Sequence, residues 1–253
     1  MGQQDTPVRT AGLGRAVGAA PTPVCGAALL LPGGEEVSAR RPSSVRPLTL
    51  VRALGRALAR AGRAEGLAVH TVRYRYRGWN GGEAHLAADA EWAADEVVRR
   101  YGDVPVCLVG VDMGGRAALR VGGHEAVNSV VALAPWLPEE DVAAPAEPVK
   151  QLVGRRVLIA HGTNDERTDP ELSFRYAARA KKVNREVCRF EVHSDGHGLH
   201  GHRSEVLSLA ADFAMGALFG HSVSRPVEDA LAAPPPIGLR MPLAAGFGRS
   251  LRR

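Results

Sequence analysis

Leu108-Val109-Gly110-Val111-Asp112-Met113-Gly114-Gly115-Arg116-Ala117-Ala118-Leu119 runs from a short apolar stretch into a helical pattern. A residue held at a sharp strand-to-helix turn needs small neighbours two places before and two after it. The turn brings the backbone close on both sides. Gly110 and Gly114 occupy those places around Asp112. A Gly-x-x-x-Gly match alone is weak evidence. Lying after an apolar strand and before a helix, it predicts a tight elbow with Asp112 at its tip.

The same alternation extends in both directions. Val24–Leu31 is a continuous apolar run, as in a strand covered on both faces. Residues 68–74, 105–110, 129–133, 156–161 and 187–193 read as further strands. Helical patterns lie between them, over 47–66, 83–101, 114–121, 170–182 and 203–219. Strands alternating with helices of this length predict a doubly wound α/β fold, with a mostly parallel sheet of about six strands. The expected domain spans 23–220. Residues 1–22 read as a flexible lead, and 221–253 as a Pro- and Arg-rich tail outside the fold. Pro234-Pro235-Pro236 breaks any helix there.

Composition excludes several classes. With 253 residues, 45% hydrophobic and 23% charged, the chain is neither disordered throughout nor a small disulfide scaffold. No stretch is apolar for long enough to predict a membrane span. The net charge is +5, of which residues 234–253 carry +4 and residues 1–23 carry +1. A neutral body with a basic tail is not the broad basic face of a nucleic-acid binder. Arg outnumbers Lys 29 to 3, which reads as the codon bias of a GC-rich, bacterial genome. Cys25, Cys107 and Cys188 lie in apolar runs without ligand spacing, so they read as buried reduced thiols. The N-terminus lacks a secretory pattern, and Met1–Thr6 matches the myristoylation motif only by accident. A cytoplasmic location is expected.

In a sheet of this kind the site lies beyond the carboxyl ends of the strands. After the first strand come Pro32-Gly33-Gly34, whose backbone amides are free to face a cleft. After the fifth come His161-Gly162-Thr163-Asn164-Asp165, and after the sixth Ser194-Asp195-Gly196-His197. A histidine works as a base when a carboxylate holds its other ring nitrogen. Asp165 is the expected holder, with Asp195 as the alternative, and Asp169 is read as the cap of the helix beginning at Pro170. The run His193, His197, His200, His202 has loop spacing that does not suit zinc.

Residues 24 to about 219 resemble the α/β-hydrolase superfamily. They look most like small bacterial members related to dienelactone hydrolases and serine esterases. The glycine loop 32–34, the elbow 110–115 and the pair Asp165 and His197 carry the resemblance. It implies a catalytic constellation of Asp112, His197 as base and Asp165 as its partner. It implies an oxyanion hole from the Met113 N–H and one N–H near Gly34. No cofactor or metal is implied, and the partner is a small-molecule substrate. Residues 135–154, where caps are usually inserted, have room for a short flap only.

The chain departs from that pattern at the elbow, where the usual His-Ser is Val111-Asp112. Carboxylate attack on an ester gives a poor anhydride intermediate. Attack on an sp3 carbon gives an ordinary ester, which His197-activated water then cleaves. Superfamily members with Asp at the elbow use it this way, toward haloalkanes and epoxides. Two further readings stay open: ester hydrolysis by His197-activated water with Asp112 assisting, and a catalytically silent fold that binds a ligand or protein. Tyr76, Arg77, Trp79 and Trp136 follow strands and are candidate pocket walls.

Overall fold

The computed structural model describes residues 9–18, 23–41, 48–139 and 146–249. The Met1–Thr6 motif, part of the expected flap (140–145), Arg252 and Arg253 lie outside these ranges.

The strands are β1 (Gly12–Leu13), β2 (Gly26–Leu31), β3 (Leu67–Arg73), β4 (Val106–Val111), β5 (Val127–Leu133), β6 (Arg156–Gly162), β7 (Val187–Val192) and β8 (Met241–Pro242). They form one sheet in the order β1-β3-β2-β4-β5-β6-β7-β8. Of these strands, β1 alone runs antiparallel to its neighbour. The six long strands are the six expected from the sequence, within two residues at each end.

The helices are α1 (Leu48–Ala61), α2 (His85–Tyr101), α3 (Met113–Val121), α4 (Pro170–Val183), α5 (Arg203–Phe219) and α6 (Arg225–Ala232). They cover both faces of the sheet, so each central strand is apolar on both sides. Side-chain alternation sorts β2 cleanly. Ala27, Leu29 and Leu31 enter the core shared with α2, α3 and α4. Ala28 and Leu30 enter the core shared with α1, α5 and α6. Between β5 and β6, the described residues form one 3-10 turn, Lys150–Leu152, and no large cap.

The two chain ends differ from the sequence reading. In the lead, β1 pairs with β3, and Val17 bridges Val69. In the tail, α6 and β8 pack onto the body, and β8 extends the sheet beside β7. Val227, Ala230, Leu239 and Leu243 are buried there. The prolines at 234–236 therefore connect two packed pieces. Arg240, expected on a loose basic tail, pairs with Glu171 at 2.9 Å and Glu191 at 3.0 Å. Cys25 also departs from expectation. It stands one residue before β2 and is exposed, whereas Cys107 and Cys188 are buried and their thiols are pushed up to about 12. Among the described residues, no helix is long and apolar enough to cross a membrane.

Candidate active site

The turn at Asp112 has the predicted shape. Asp112 adopts φ 56°, ψ −124°, a conformation L residues rarely take. A Cβ on Gly110 would strike the Gly114 carbonyl, and one on Gly114 would strike the Leu31 carbonyl. The Asp112 N–H donates to the Leu133 carbonyl at 3.0 Å. Its carbonyl accepts from the Gly115, Arg116 and Trp136 N–H groups. These bonds hold the strained residue in place, with its side chain at the carboxyl edge of the sheet. Gly33 brings the β2 loop over it, because a Cβ there would lie 2.8 Å from Asp112 Oδ2.

Two more loops complete the constellation. Asp165 follows β6 and His197 follows β7. His197 Nδ1 lies 2.8 Å from Asp165 Oδ2. Its other nitrogen, Nε2, lies 3.6 Å from Asp112 Oδ1, beyond hydrogen-bond length. Asp112 Oδ1 is buried and has no hydrogen-bond partner among the described residues. Asp112 Oδ2 instead faces Arg167 Nη2 at 3.4 Å. The three residues singled out in the sequence thus stand in one row, Asp112, His197, Asp165.

Their electrostatics differ. Burial pushes the Asp112 carboxyl above its usual range, against the pull of Arg167, His197 and the Met113 N–H. Burial acts the same way on Asp165, but its donors win and hold it well below the carboxylate range. Oδ1 accepts from the Arg167 and Thr168 N–H groups, each at 2.9 Å. Oδ2 accepts from the Thr168 hydroxyl at 2.7 Å, from His197, and from His161 Nε2 at 3.1 Å.

The other candidates fall in different places. Met113 opens α3 beside the Asp112 carboxylate, and a Cβ on Gly34 would crowd Met113 and Leu86. Trp136 is half-buried, and its N–H reaches the Asp112 carbonyl at 3.2 Å. Trp79 is buried in the core under Arg116, its ring centre 3.8 Å from the guanidinium carbon. Arg116 is held there by Glu147 at 2.8 Å. Tyr76 packs edge-on against His85, and Arg77 pairs with Glu35 at 3.1 Å, so neither is bound to the row. Asp195 binds the Gly196 and His202 N–H groups rather than His197. Asp169 caps α4 by accepting from the Glu171 N–H. No group of three or more metal-binding side chains occurs among the described residues.

The sequence reading missed Arg167, Thr168 and His161. All three lie close to Asp165 along the chain. The available signal was local. His161 ends a strand four residues before the acid, and Thr168 follows it by three.

No protein-family model matches the chain, and no curated protein sequence does. Solved structures match its fold. An α/β serine hydrolase homologue from Coxiella burnetii shares 17% identity at TM-score 0.54, covering 79% of this chain and 89% of its own. An α/β serine hydrolase without lid from Xanthomonas campestris shares 15% at TM-score 0.56, covering 84% and 90%. An esterase from Pyrococcus furiosus shares 16% at TM-score 0.61, covering 77% and 83%. Together with the order of strands in the sheet, these likenesses show that the chain has the α/β-hydrolase fold.

Proposed function

We propose that the protein is a hydrolase of a small molecule, in which Asp112 attacks an electrophilic sp3 carbon. One observation carries this reading. Asp112 Oδ1 is buried, unpartnered and turned toward His197, while Oδ2 faces Arg167. An unpaired carboxylate oxygen in a dry site is a strong nucleophile, because no donor must be removed before it reacts. Attack by Oδ1 forms a C–O bond and breaks the bond to the leaving group, which departs with the electron pair as halide or epoxide oxygen. The product is an aspartyl ester whose carbonyl oxygen is Oδ2.

The second half uses His197. Its Nε2 takes a proton from water, and the water oxygen attacks the ester carbonyl carbon. Charge then develops on Oδ2, beside the Arg167 guanidinium. The intermediate collapses, the alcohol leaves with the proton from His197, and the Asp112 carboxyl returns to carboxylate by giving up the second water proton, to solvent after halide loss or to the oxygen of an opened epoxide. Asp165 stays ionised throughout and holds the imidazole. Fold neighbours that are esterases and serine hydrolases support a hydrolase without specifying this chemistry.

A single turnover in H2(18)O with excess enzyme tests the route, on a panel of haloalkanes, epoxides and activated esters. The expected result is label in the Asp112 carboxylate, found by peptide mass spectrometry, and unlabelled oxygen in the first product. Label in the product alone assigns the attack to His197-activated water. No turnover of any panel member by the wild type removes the support for this chemistry and favours the binding-module reading.

A further inference from the structure

Behind Asp165 lies a second, wholly buried histidine, His161. Its Nε2 faces three oxygens: Asp165 Oδ2 at 3.1 Å, the Thr168 carbonyl at 3.2 Å and Thr168 Oγ1 at 3.2 Å. The carboxylate and the carbonyl accept only, and the Thr168 hydroxyl already gives its proton to Asp165. Nε2 must therefore carry the hydrogen. Nδ1 then presents a lone pair, and its partner is Ser173 Oγ at 2.9 Å.

Ser173 has one proton and two acceptors in reach, His161 Nδ1 and the Pro170 carbonyl at 2.8 Å. Arg189 resolves the choice. Its Nη2 supplies the Pro170 carbonyl at 3.1 Å, and its Nε donates to Ser173 Oγ at 3.0 Å. With Arg189 also on it, the Pro170 carbonyl stays satisfied when the Ser173 hydroxyl turns its proton from that oxygen to His161 Nδ1, whose lone pair has Ser173 as its partner. Arg189 is itself fully buried and fixed by Glu191 at 3.1 Å and the Leu239 carbonyl at 2.9 Å. One directed chain runs from Arg189 through Ser173 and His161 to Asp165.

We propose that His161, locked by Ser173 and Arg189, is a positioning residue that orients the Asp165 carboxylate and weakens its pull on His197. The proposal rests on the reading of Asp165 and His197 as the working pair. Two histidines share one carboxylate oxygen, so each donor reduces the charge the other feels. His161 stays neutral because burial opposes its protonation more than Asp165 favours it. The imidazole of His197 faces Asp112 and Asp165, with Arg167 across Asp112. Beyond Arg189 stand Glu191 and Arg240. None of these can take the place of His161 on Asp165 Oδ2.

Full-length protein with 15N-labelled histidine rings tests this directly by NMR, since the ring nitrogen shifts distinguish the two neutral tautomers from the cation. In the wild type His161 is expected as the neutral Nε2–H tautomer through the range where an ordinary histidine titrates. In His161→Phe the His197 Nδ1–H proton is expected to resonate further downfield, because Asp165 Oδ2 is no longer shared with a second ring. Ser173→Ala removes the donor to His161 Nδ1 and lets the ring turn away from Asp165, so it should move His197 in the same direction. His161→Gln keeps a donor near Asp165 and should return the resonance toward wild type. A wild-type His161 in the Nδ1–H tautomer overturns the proposal. So does an unmoved His197 Nδ1–H resonance in the Phe and Ala variants. A protein with no turnover but these ring shifts keeps the network and loses the hydrolase reading.

Discussion

Asp112 carries a buried, unpaired oxygen on a strained backbone, and both features cost stability. Its carboxyl is raised in the fold, so the native state holds that proton more tightly than the unfolded chain does. Stability from this group is complete below the ordinary carboxylate range. It is lost as pH rises through the folded value, and at neutral pH the ionised group is a burden. Asp112→Asn keeps the shape and tolerates the positive φ. It should abolish turnover while raising Tm at pH 7 by about 2–4 °C, near 1 kcal/mol for a domain of this size. The gain should shrink on acidification toward pH 4. Thermal scans across that range check the sign, and a Tm that falls at pH 7 would contradict it. Asp165 behaves oppositely. Its contribution is present above the carboxylate range and fades below it.

At the level of elements, the elbow shows what a sequence pattern can carry. Gly110 and Gly114 are demanded by backbone contacts that any side chain would violate, so their spacing, set between an apolar strand and a helix, marks the turn. Gly110→Ala should therefore cost about 3 kcal/mol or more, or yield no soluble protein. Gly82→Ala is the control, because a Cβ there meets nothing within 4 Å. Its neighbour Gly81 has the same open space but a positive φ, which would add strain of its own. Denaturant midpoints of Gly110→Ala and Gly82→Ala measure the difference. The long strands were legible for a similar reason, because burial on both faces writes continuous apolar runs. Strands β1 and β8 were not. Each has two residues, too few for any period to show. The site was legible where chain order and strand ends mark it, at Asp112, Asp165 and His197. Arg167, Thr168 and His161 depend on the path of one loop and on neighbours from α4 and β7, which spacing does not encode. The packing of Trp79 under Arg116 was not legible either, because Arg116 sits on a different element.

Across the whole molecule, the C-terminal segment links the far edge of the sheet to the site. Leu239 is buried, and its carbonyl binds Arg189, the start of the chain that ends on Asp165. Arg240 stacks on Phe174 at 3.8 Å and bridges Glu171 on α4 to Glu191 on β7. Removing 234–253 would expose the edge of β7 along Phe190 and Glu191, where β8 pairs. It would also leave one donor of a fully buried guanidinium without an acceptor. Lost apolar burial and an unsatisfied charge-bearing donor each cost on the order of 1–3 kcal/mol. The truncated chain is expected to melt several degrees lower, still in one transition, because no separate core is removed. Its His197 Nδ1–H proton should resonate further downfield than in the full chain, as in Ser173→Ala, since Arg189 no longer holds Ser173 in place. A truncated protein with unchanged Tm and an unchanged His197 resonance would separate the tail from the site and leave Arg189 anchored by Glu191, Pro170 and Ser173 alone.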